Sequence, residues 1–183
     1  NPYSPKLIGG LSSGEPGFAH HIYVSGNYAY IPRYKYPAAL AIMDVSNPTR
    51  PILRGIFRDP GRMRLPMAVY VSGNYAYLAS TYPAGITILD VSNPASPYII
   101  GYAEDPLLKI DPPIMDGVYS IYVSGNYAFV TGQGFNALVV FDISNPAAPK
   151  SIASITDLTY MKRPYHVHVV GNYAYVAGRF SNS

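Results

Sequence analysis

The chain has 183 residues, which is enough for one domain with a hydrophobic core. Hydrophobic residues make up 49% of it and charged residues 13%, a composition that excludes an intrinsically disordered protein. The absence of Cys excludes disulfides, thiolate metal sites and Cys nucleophiles, and a net charge of +3 does not indicate a nucleic-acid partner.

Two short strings recur in register along the chain. The first, Gly-Asn-Tyr-Ala-(Tyr/Phe), begins at Gly26, Gly73, Gly125 and Gly171. The second, Asp-(Val/Ile)-Ser-Asn-Pro, begins at Asp44, Asp90 and Asp142. Self-similarity at a fixed period indicates a repeat architecture. We expect one domain over 1–183 with repeat units at 18–57, 66–103, 117–156 and 164–183, the last one partial, after an orphan outer strand in 1–10.

Each unit contains four short predicted strands. Strand one alternates with period two, so that Ile22 and Val24 face one side and His21 and Tyr23 the other. Gly-Asn then forms a two-residue turn with Gly at positive φ, and strand two follows. Strand three is apolar and ends at the Asp of the second string, and Ser-Asn-Pro turns the chain into strand four.

Four antiparallel strands in a unit of about 46 residues are typical of a β-propeller blade. We therefore predict an all-β fold, a propeller of four-stranded antiparallel blades. A stacked solenoid of sheets is the competing architecture.

The GNYAY hairpin, the apolar third strand and the DVSNP turn together resemble the LVIVD-repeat β-propellers over nearly the whole chain. The resemblance implies a propeller of a kind that is often secreted or displayed on cell surfaces, and it implies no established activity. The fourth unit departs from the pattern, because Val170 replaces Ser and no fourth DVSNP string follows.

The two ends of the chain supply unequal parts of a blade. The first ten residues resemble a strand four, and 164–183 resemble strands one and two, so joining them leaves strand three missing. We expect either that the chain is part of a larger propeller or that another chain donates the strand. The second alternative predicts self-assembly through the open blade.

The longer loops lie at the end of the blades opposite the Gly-Asn turns. Variable loops on a rigid scaffold usually carry function, and Tyr with Arg suits contact with a protein or glycan surface. The candidate residues of this loop face are Arg33, Tyr34, Arg62, Arg64, Tyr160 and Arg163.

Three histidines offer the only predicted metal site. His21 and His166 hold the same position in their units, and His168 shares their phase on strand one. Because strand one lines the axis of a propeller, these imidazoles could converge and bind a divalent metal such as Zn²⁺. The recurring Asp44, Asp90 and Asp142 are expected to be structural, with each carboxylate accepting backbone N–H bonds.

No sequence template for catalysis is present, such as a P-loop, a Gly-x-Ser-x-Gly elbow or His-Glu-x-x-His. No apolar run approaches the roughly 18 residues of a transmembrane helix. We therefore expect a non-enzymatic, extracellular or cell-surface propeller that serves as a binding or structural scaffold. The alternative is a propeller enzyme or metal protein with a His-lined site at the central channel.

Overall fold

A computed structural model describes residues 3–10, 18–35, 37–108 and 117–179. It contains fourteen strands in that part of the chain, grouped into three four-stranded antiparallel sheets and one two-stranded sheet. The strands, in chain order, are β1 (Tyr23–Ser25), β2 (Tyr28–Arg33), β3 (Ala39–Asp44), β4 (Ile52–Phe57), β5 (Arg64–Ser72), β6 (Tyr75–Tyr82), β7 (Gly85–Asp90), β8 (Tyr98–Glu104), β9 (Val118–Ser124), β10 (Tyr127–Gly132), β11 (Ala137–Asp142), β12 (Lys150–Thr156), β13 (Pro164–Val170) and β14 (Tyr173–Gly178).

Each sheet pairs its strands in sequence order, so the sheets are the blades of a propeller. The first blade is β1–β4, the second β5–β8, the third β9–β12 and the last β13–β14. The first strand of each blade lies beside the first strand of the next, β1 by β5, β5 by β9 and β9 by β13. His20, before the first blade, also contacts Tyr119 of the third blade, as blades arranged around an axis allow and a stacked solenoid does not.

Two-residue turns join the first two strands of every blade. Gly26, Gly73, Gly125 and Gly171 have φ between 56 and 57°. This left-handed backbone is what the first central position of a type II′ turn requires, and it suits Gly because no Cβ is present to clash.

The blades pack through two chemically different faces. One face of a blade presents tyrosines from its first two strands, which we call the aromatic face. The next blade meets it with Val, Ile and Leu from its own first two strands, which we call the aliphatic face. Between the first and second blades, Tyr28 and Tyr30 contribute to the cluster that contains Val69, Val71 and Leu78.

The same pairing recurs at the other two interfaces. Tyr75 and Tyr77 of the second blade belong to a cluster with Val123 and Val130 of the third, and Phe129 of the third packs with residues of the last. Burial of this apolar area supplies the main driving force for folding.

One expected element is not a strand. The sequence predicts an outer strand in 1–10, and the described part of that segment, residues 3–10, has no β structure. A strand needs a hydrogen-bonded neighbour, and no described strand pairs with this segment. Within the part of the chain that the structure describes, no helix has the length and apolar character needed to cross a membrane.

Candidate functional site

A stack of aromatic side chains runs along the inner strands of all four blades. Tyr23, Tyr70, Tyr122 and His168 each precede the turn glycine of their blade by three residues. Successive ring centroids are 4.6, 5.1 and 4.7 Å apart, distances at which aromatic rings attract one another. We call this row the inner aromatic stack.

Hydroxyl groups link the stack as well as ring contacts. The Tyr70 side chain is hydrogen-bonded to those of Tyr23 and Tyr122, and burial, followed by the bond to Tyr23, raises the pKa of Tyr70. Burial also raises the pKa of Tyr122. Tyr70 and Tyr122 therefore stay neutral at physiological pH, and the hydroxyl bonds of Tyr70 join the first three blades.

A second aromatic group lies at the end of the blades that carries the longer loops. Phe18 and Tyr34 meet edge to face at 6.4 Å, and His20 lies 4.7 Å from Tyr34. His20 also lies 6.1 Å from Tyr119, which in turn lies 4.8 Å from Tyr165. We call these five residues the loop-end cluster. Phe18 and His20 precede the first blade, Tyr34 belongs to it, and Tyr119 and Tyr165 belong to the third and last blades.

The loop-end cluster is accessible and has polar neighbours. Phe18 is 58% exposed and Tyr165 is 42% exposed. The ammonium group of Lys35 lies 4.1 Å from the centroid of the Phe18 ring, a cation–π contact. An exposed aromatic surface with a cation at its edge can bind a ligand that has both apolar and polar groups.

Register shifts in strand one determine where two of these rings lie. The β5–β6, β9–β10 and β13–β14 pairs each skip one residue of strand one, which leaves Met67, Tyr119 and Tyr165 unpaired. Such bulges re-aim side chains. In the third and last blades the re-aimed residue is a tyrosine of the loop-end cluster.

The structure brings two of the three predicted metal ligands near each other. Burial, followed by the charge of His166, lowers the pKa of His21, and its buried Nδ1 has no hydrogen-bond partner. His168 instead stacks on Tyr122. Among the described residues no group of three or more His, Asp or Glu is arranged to hold a metal ion, so the three histidines form no such group.

Of the predicted loop-face residues, the structure brings Tyr34 into the loop-end cluster. Arg62 lies 4.0 Å from the carboxylate of Asp59, and Tyr160 is 76% exposed. The Arg163 backbone N–H donates to the side chain of Asn136, 2.7 Å away.

The other two predicted loop-face residues lie at strand ends. Arg64 begins β5 opposite Tyr82, and Arg33 ends β2, where burial, followed by the charge of Arg58, lowers its pKa. Residues 109–116, the middle of the loop between the second and third blades, lie outside the described residues.

The recurring aspartates take part in local turns. Asp44 and Asp90 each accept bonds from the backbone N–H and the hydroxyl of the Ser two residues later, and Asp142 accepts from the backbone N–H of Ser144. These bonds lower the pKa of all three carboxyls.

Two further polar groups were missed by reasoning from the sequence. Gln133 is 2% exposed, and neither its Nε2 nor its Oε1 has a hydrogen-bond partner. The Ser80 hydroxyl, 1% exposed, also has none. Both lie at or near the end of strand two, at the loop end of their blades, and neither belongs to a repeated motif that would have drawn attention to it.

Solved structures of similar fold share little sequence with this chain. The match with the designed protein Ika4 covers 98% of this chain and 96% of Ika4, with 8% sequence identity and a TM-score of 0.66. A functionally unknown protein from Desulfotomaculum acetoxidans matches 91% of this chain over 50% of its own, with 13% identity and a TM-score of 0.70. The match with the designed protein Ika8 covers 94% of this chain and 46% of Ika8, with 8% sequence identity and a TM-score of 0.63. The chain thus spans about half the length of the last two.

Comparison with protein families gives a more specific result than the solved structures. No curated protein matches the sequence significantly. A model of the LVIVD repeat matches residues 16–59, 66–104, 117–157 and 165–180, which is most of the chain. The matched segments coincide with the four blades and with the strings that suggested the resemblance. The chain therefore belongs to the LVIVD repeat family.

Proposed function

We propose that this chain is a non-enzymatic scaffold, outside the cell or at its surface, that binds a protein or glycan partner with its loop end. The loop-end cluster carries the proposal. It gathers aromatic rings from three blades into one accessible group, and aromatic side chains contribute disproportionately to recognition surfaces. Packing between blades holds the rings in place, which reduces the entropy lost on binding.

The chemistry of the cluster favours a glycan among these partners. A sugar ring has an apolar C–H face, which stacks on aromatic rings, and hydroxyl groups around its edge. His20 and Lys35 supply polar groups beside the rings at the same place. The extracellular location rests on what the family resemblance implies, and labelling intact cells with an antibody against the chain would test it.

Binding can be tested on a glycan array with single substitutions in the cluster. Tyr34→Ala and Tyr165→Ala should each weaken binding about tenfold, because each removes one ring contact of roughly 1 kcal/mol or slightly more. Tyr160→Ala is the control, since Tyr160 is 76% exposed on a loop of the same end but lies outside the cluster. Equal binding by all three variants would contradict the assignment of the site, and an array without any bound glycan would direct the search to protein partners.

A metal-binding role is the second candidate, and the proximity of His21 and His166 favours it. Calorimetric titration with Zn²⁺ would test it. One bound ion, lost in both His21→Asn and His166→Asn but retained in His20→Asn, would support a site between these two imidazoles. Absence of binding would leave the scaffold function alone.

The structural part of the scaffold function includes self-assembly. The last blade has two strands among the described residues, and β14 therefore has a free edge where the other blades have a third strand. An unpaired edge is a template for pairing with another chain.

A further inference from the structure

The two ends of the row of blades expose the two halves of the interface that joins the blades inside it. On the aliphatic face of the first blade, Ile22 and Val24 are each 58% exposed. Their counterparts Val69 and Val71 in the second blade are buried against the first, 0% and 4% exposed.

The opposite end shows the complementary surface. On the aromatic face of the last blade, Tyr173 is 71% exposed and Tyr175 is 60% exposed. The counterpart of Tyr175 in the first blade, Tyr30, is 4% exposed because the second blade covers it. The described blades therefore form an open row with an aliphatic face at one end and an aromatic face at the other.

The segment of residues 3–10 shows that the first blade is arranged to receive a preceding blade. A Cβ at Gly9 would overlap the backbone carbonyl oxygen of Pro48 in the first blade. A Cβ at Gly55 of β4 would likewise overlap the carbonyl oxygen of Pro94 in the second blade. A Cβ at Gly101 of β8 would overlap that of Pro146 in the third blade.

The same close approach of an outer segment to the next blade's Ser-Asn-Pro turn thus occurs three times. Residues 3–10 occupy, relative to the first blade, the place that the outer strand of a preceding blade would take. The contact between one blade's outer segment and the next blade's turn is therefore also present before the first blade. Among the described residues, however, no sheet covers the aliphatic face of that blade, because Ile22 and Val24 are exposed.

We propose that a second copy of this chain covers both open faces. The aromatic face of the last blade of each copy would pack on the aliphatic face of the first blade of the other, which makes two identical contacts and a closed two-fold ring. This inference rests on the structural part of the proposed function and does not depend on the loop-end cluster.

Three observations favour a second copy as the occupant. The two faces are complementary to each other, since they repeat the residue types of the three interfaces inside the row. Residues 3–10 of one copy would lie at the outer edge of the other copy's last blade. The same fold matches nearly all of Ika4 and about half of Ika8, so two copies have the length of one such larger chain.

The native mass of the purified 183-residue chain tests the proposal. Light scattering after size-exclusion chromatography should give twice the chain mass at micromolar concentration. Val24→Asp on the first blade and Tyr175→Asp on the last should each give monomers, because a carboxylate would be buried in an apolar interface. Leu158→Asp is the control, since Leu158 is 73% exposed on the loop between β12 and β13 and belongs to neither face, and this variant should remain a dimer.

Mixing the two monomeric variants tests the head-to-tail arrangement. Val24→Asp retains an intact aromatic face and Tyr175→Asp an intact aliphatic face, so an equimolar mixture should recover dimers joined by one contact. Tyr173→Asp provides a second variant of the last blade, and circular dichroism checks that every variant is folded.

A monomeric native chain at all accessible concentrations would overturn the proposal. So would a Tyr175→Asp variant that dimerises alone, because its aliphatic faces would then pair with each other, and so would open filaments in place of a dimer. A monomer that still binds its ligand through the loop-end cluster would leave the binding function intact, so the two failures are distinguishable.

Discussion

Individual glycines in the outer strands fix how closely the blades approach. Gly55 and Gly101 are both buried, and each has the proline carbonyl of the next blade's Ser-Asn-Pro turn where a side chain would start. The third blade has Ala153 at this position, and that residue is exposed. Glycine is therefore present at the positions where the turn of the next blade contacts the outer strand and leaves no room for a Cβ.

We expect Gly101→Ala to lower the free energy of unfolding by about 1–3 kcal/mol, because the new methyl group forces the second and third blades apart. Urea unfolding measures the effect. In Gly10→Ala the methyl group meets nothing within 4 Å, so that variant should stay within about 0.5 kcal/mol of the native chain. Equal losses in both variants would show that the contact with Pro146 does not limit packing.

The Asp that precedes each Ser-Asn-Pro turn makes the free energy of unfolding depend on pH in the acidic range. Bonds from Ser92 lower the pKa of Asp90 below its ordinary value of 3.8, so the native state favours the ionised carboxylate. This contribution is complete above the unfolded-state pKa and is lost as the pH falls through the lower native-state pKa.

Asp90→Asn should therefore lower the melting temperature at pH 7 and flatten its decline below about pH 4, relative to the native chain. Thermal melts between neutral and strongly acidic pH measure both effects. Ser92→Ala keeps the carboxylate but removes the hydroxyl donor. Its melting temperatures should therefore lie between those of the native chain and of Asp90→Asn. Parallel curves for the native chain and Asp90→Asn would contradict this account of the turn.

Among the elements, the last blade depends on a small set of contacts. The backbone N–H of Val167 in β13 donates to the Ser120 hydroxyl of β9, 3.2 Å away. Val167 and Val169 are buried in the cluster that contains Leu138 and Met161. This hairpin has one packed face, whereas the second and third blades are packed on both.

Ser120→Ala should loosen the last blade, because it leaves the buried Val167 N–H without its acceptor at a cost of about 1–3 kcal/mol. Hydrogen exchange should become faster in β13 and β14 and stay unchanged in β6 and β7. Ser124→Ala, at the other end of the same strand, should change neither. Uniformly faster exchange would indicate global destabilisation instead of release of one element.

The strands were predictable from the sequence because the repeat shows each of them several times. Period-two alternation and turn residues located the strands of all four units, but they could not reveal an additional residue inside strand one. The bulges at Tyr119 and Tyr165 therefore went unnoticed, and with them the way these rings meet His20.

The inner aromatic stack could have been found from the sequence. Tyr23, Tyr70 and Tyr122 hold one position in their repeats, and His168 replaces them in the last. The sequence analysis predicts His168 as a metal ligand, and the structure in addition places its ring against Tyr122 in the stack. The lack of a hydrogen-bond partner for the buried Gln133 side chain depends on tertiary packing, so the sequence carries no signal for it.

At the scale of the whole molecule, the repeat was sufficient to predict the propeller, which the blade pairing and the family comparison confirm. The exposure of the end faces was not predictable, because each repeat looks alike whether or not a neighbour covers it. Only the structure shows that Val69 is buried while its counterpart Ile22 is open to solvent. The sequence thus shows which residue types form the interfaces between blades, and the structure shows which of these faces have no neighbouring blade among the described residues.

Stability should consequently vary along the row of blades and respond to protein concentration. The hairpin β13–β14 and the matching hairpin β5–β6 have the same turn and similar sequences, but only the second is covered on both faces. In dilute solution, amides bonded within β13–β14 should exchange at least about tenfold faster than those within β5–β6, because local opening exposes little buried surface there. If the end faces pair between copies, a higher protein concentration should slow exchange in β1, β13 and β14 and leave β5–β6 unchanged. Exchange rates that are independent of concentration would mean that these faces stay open in solution, and equal rates in the two hairpins would mean that the row unfolds as a single unit.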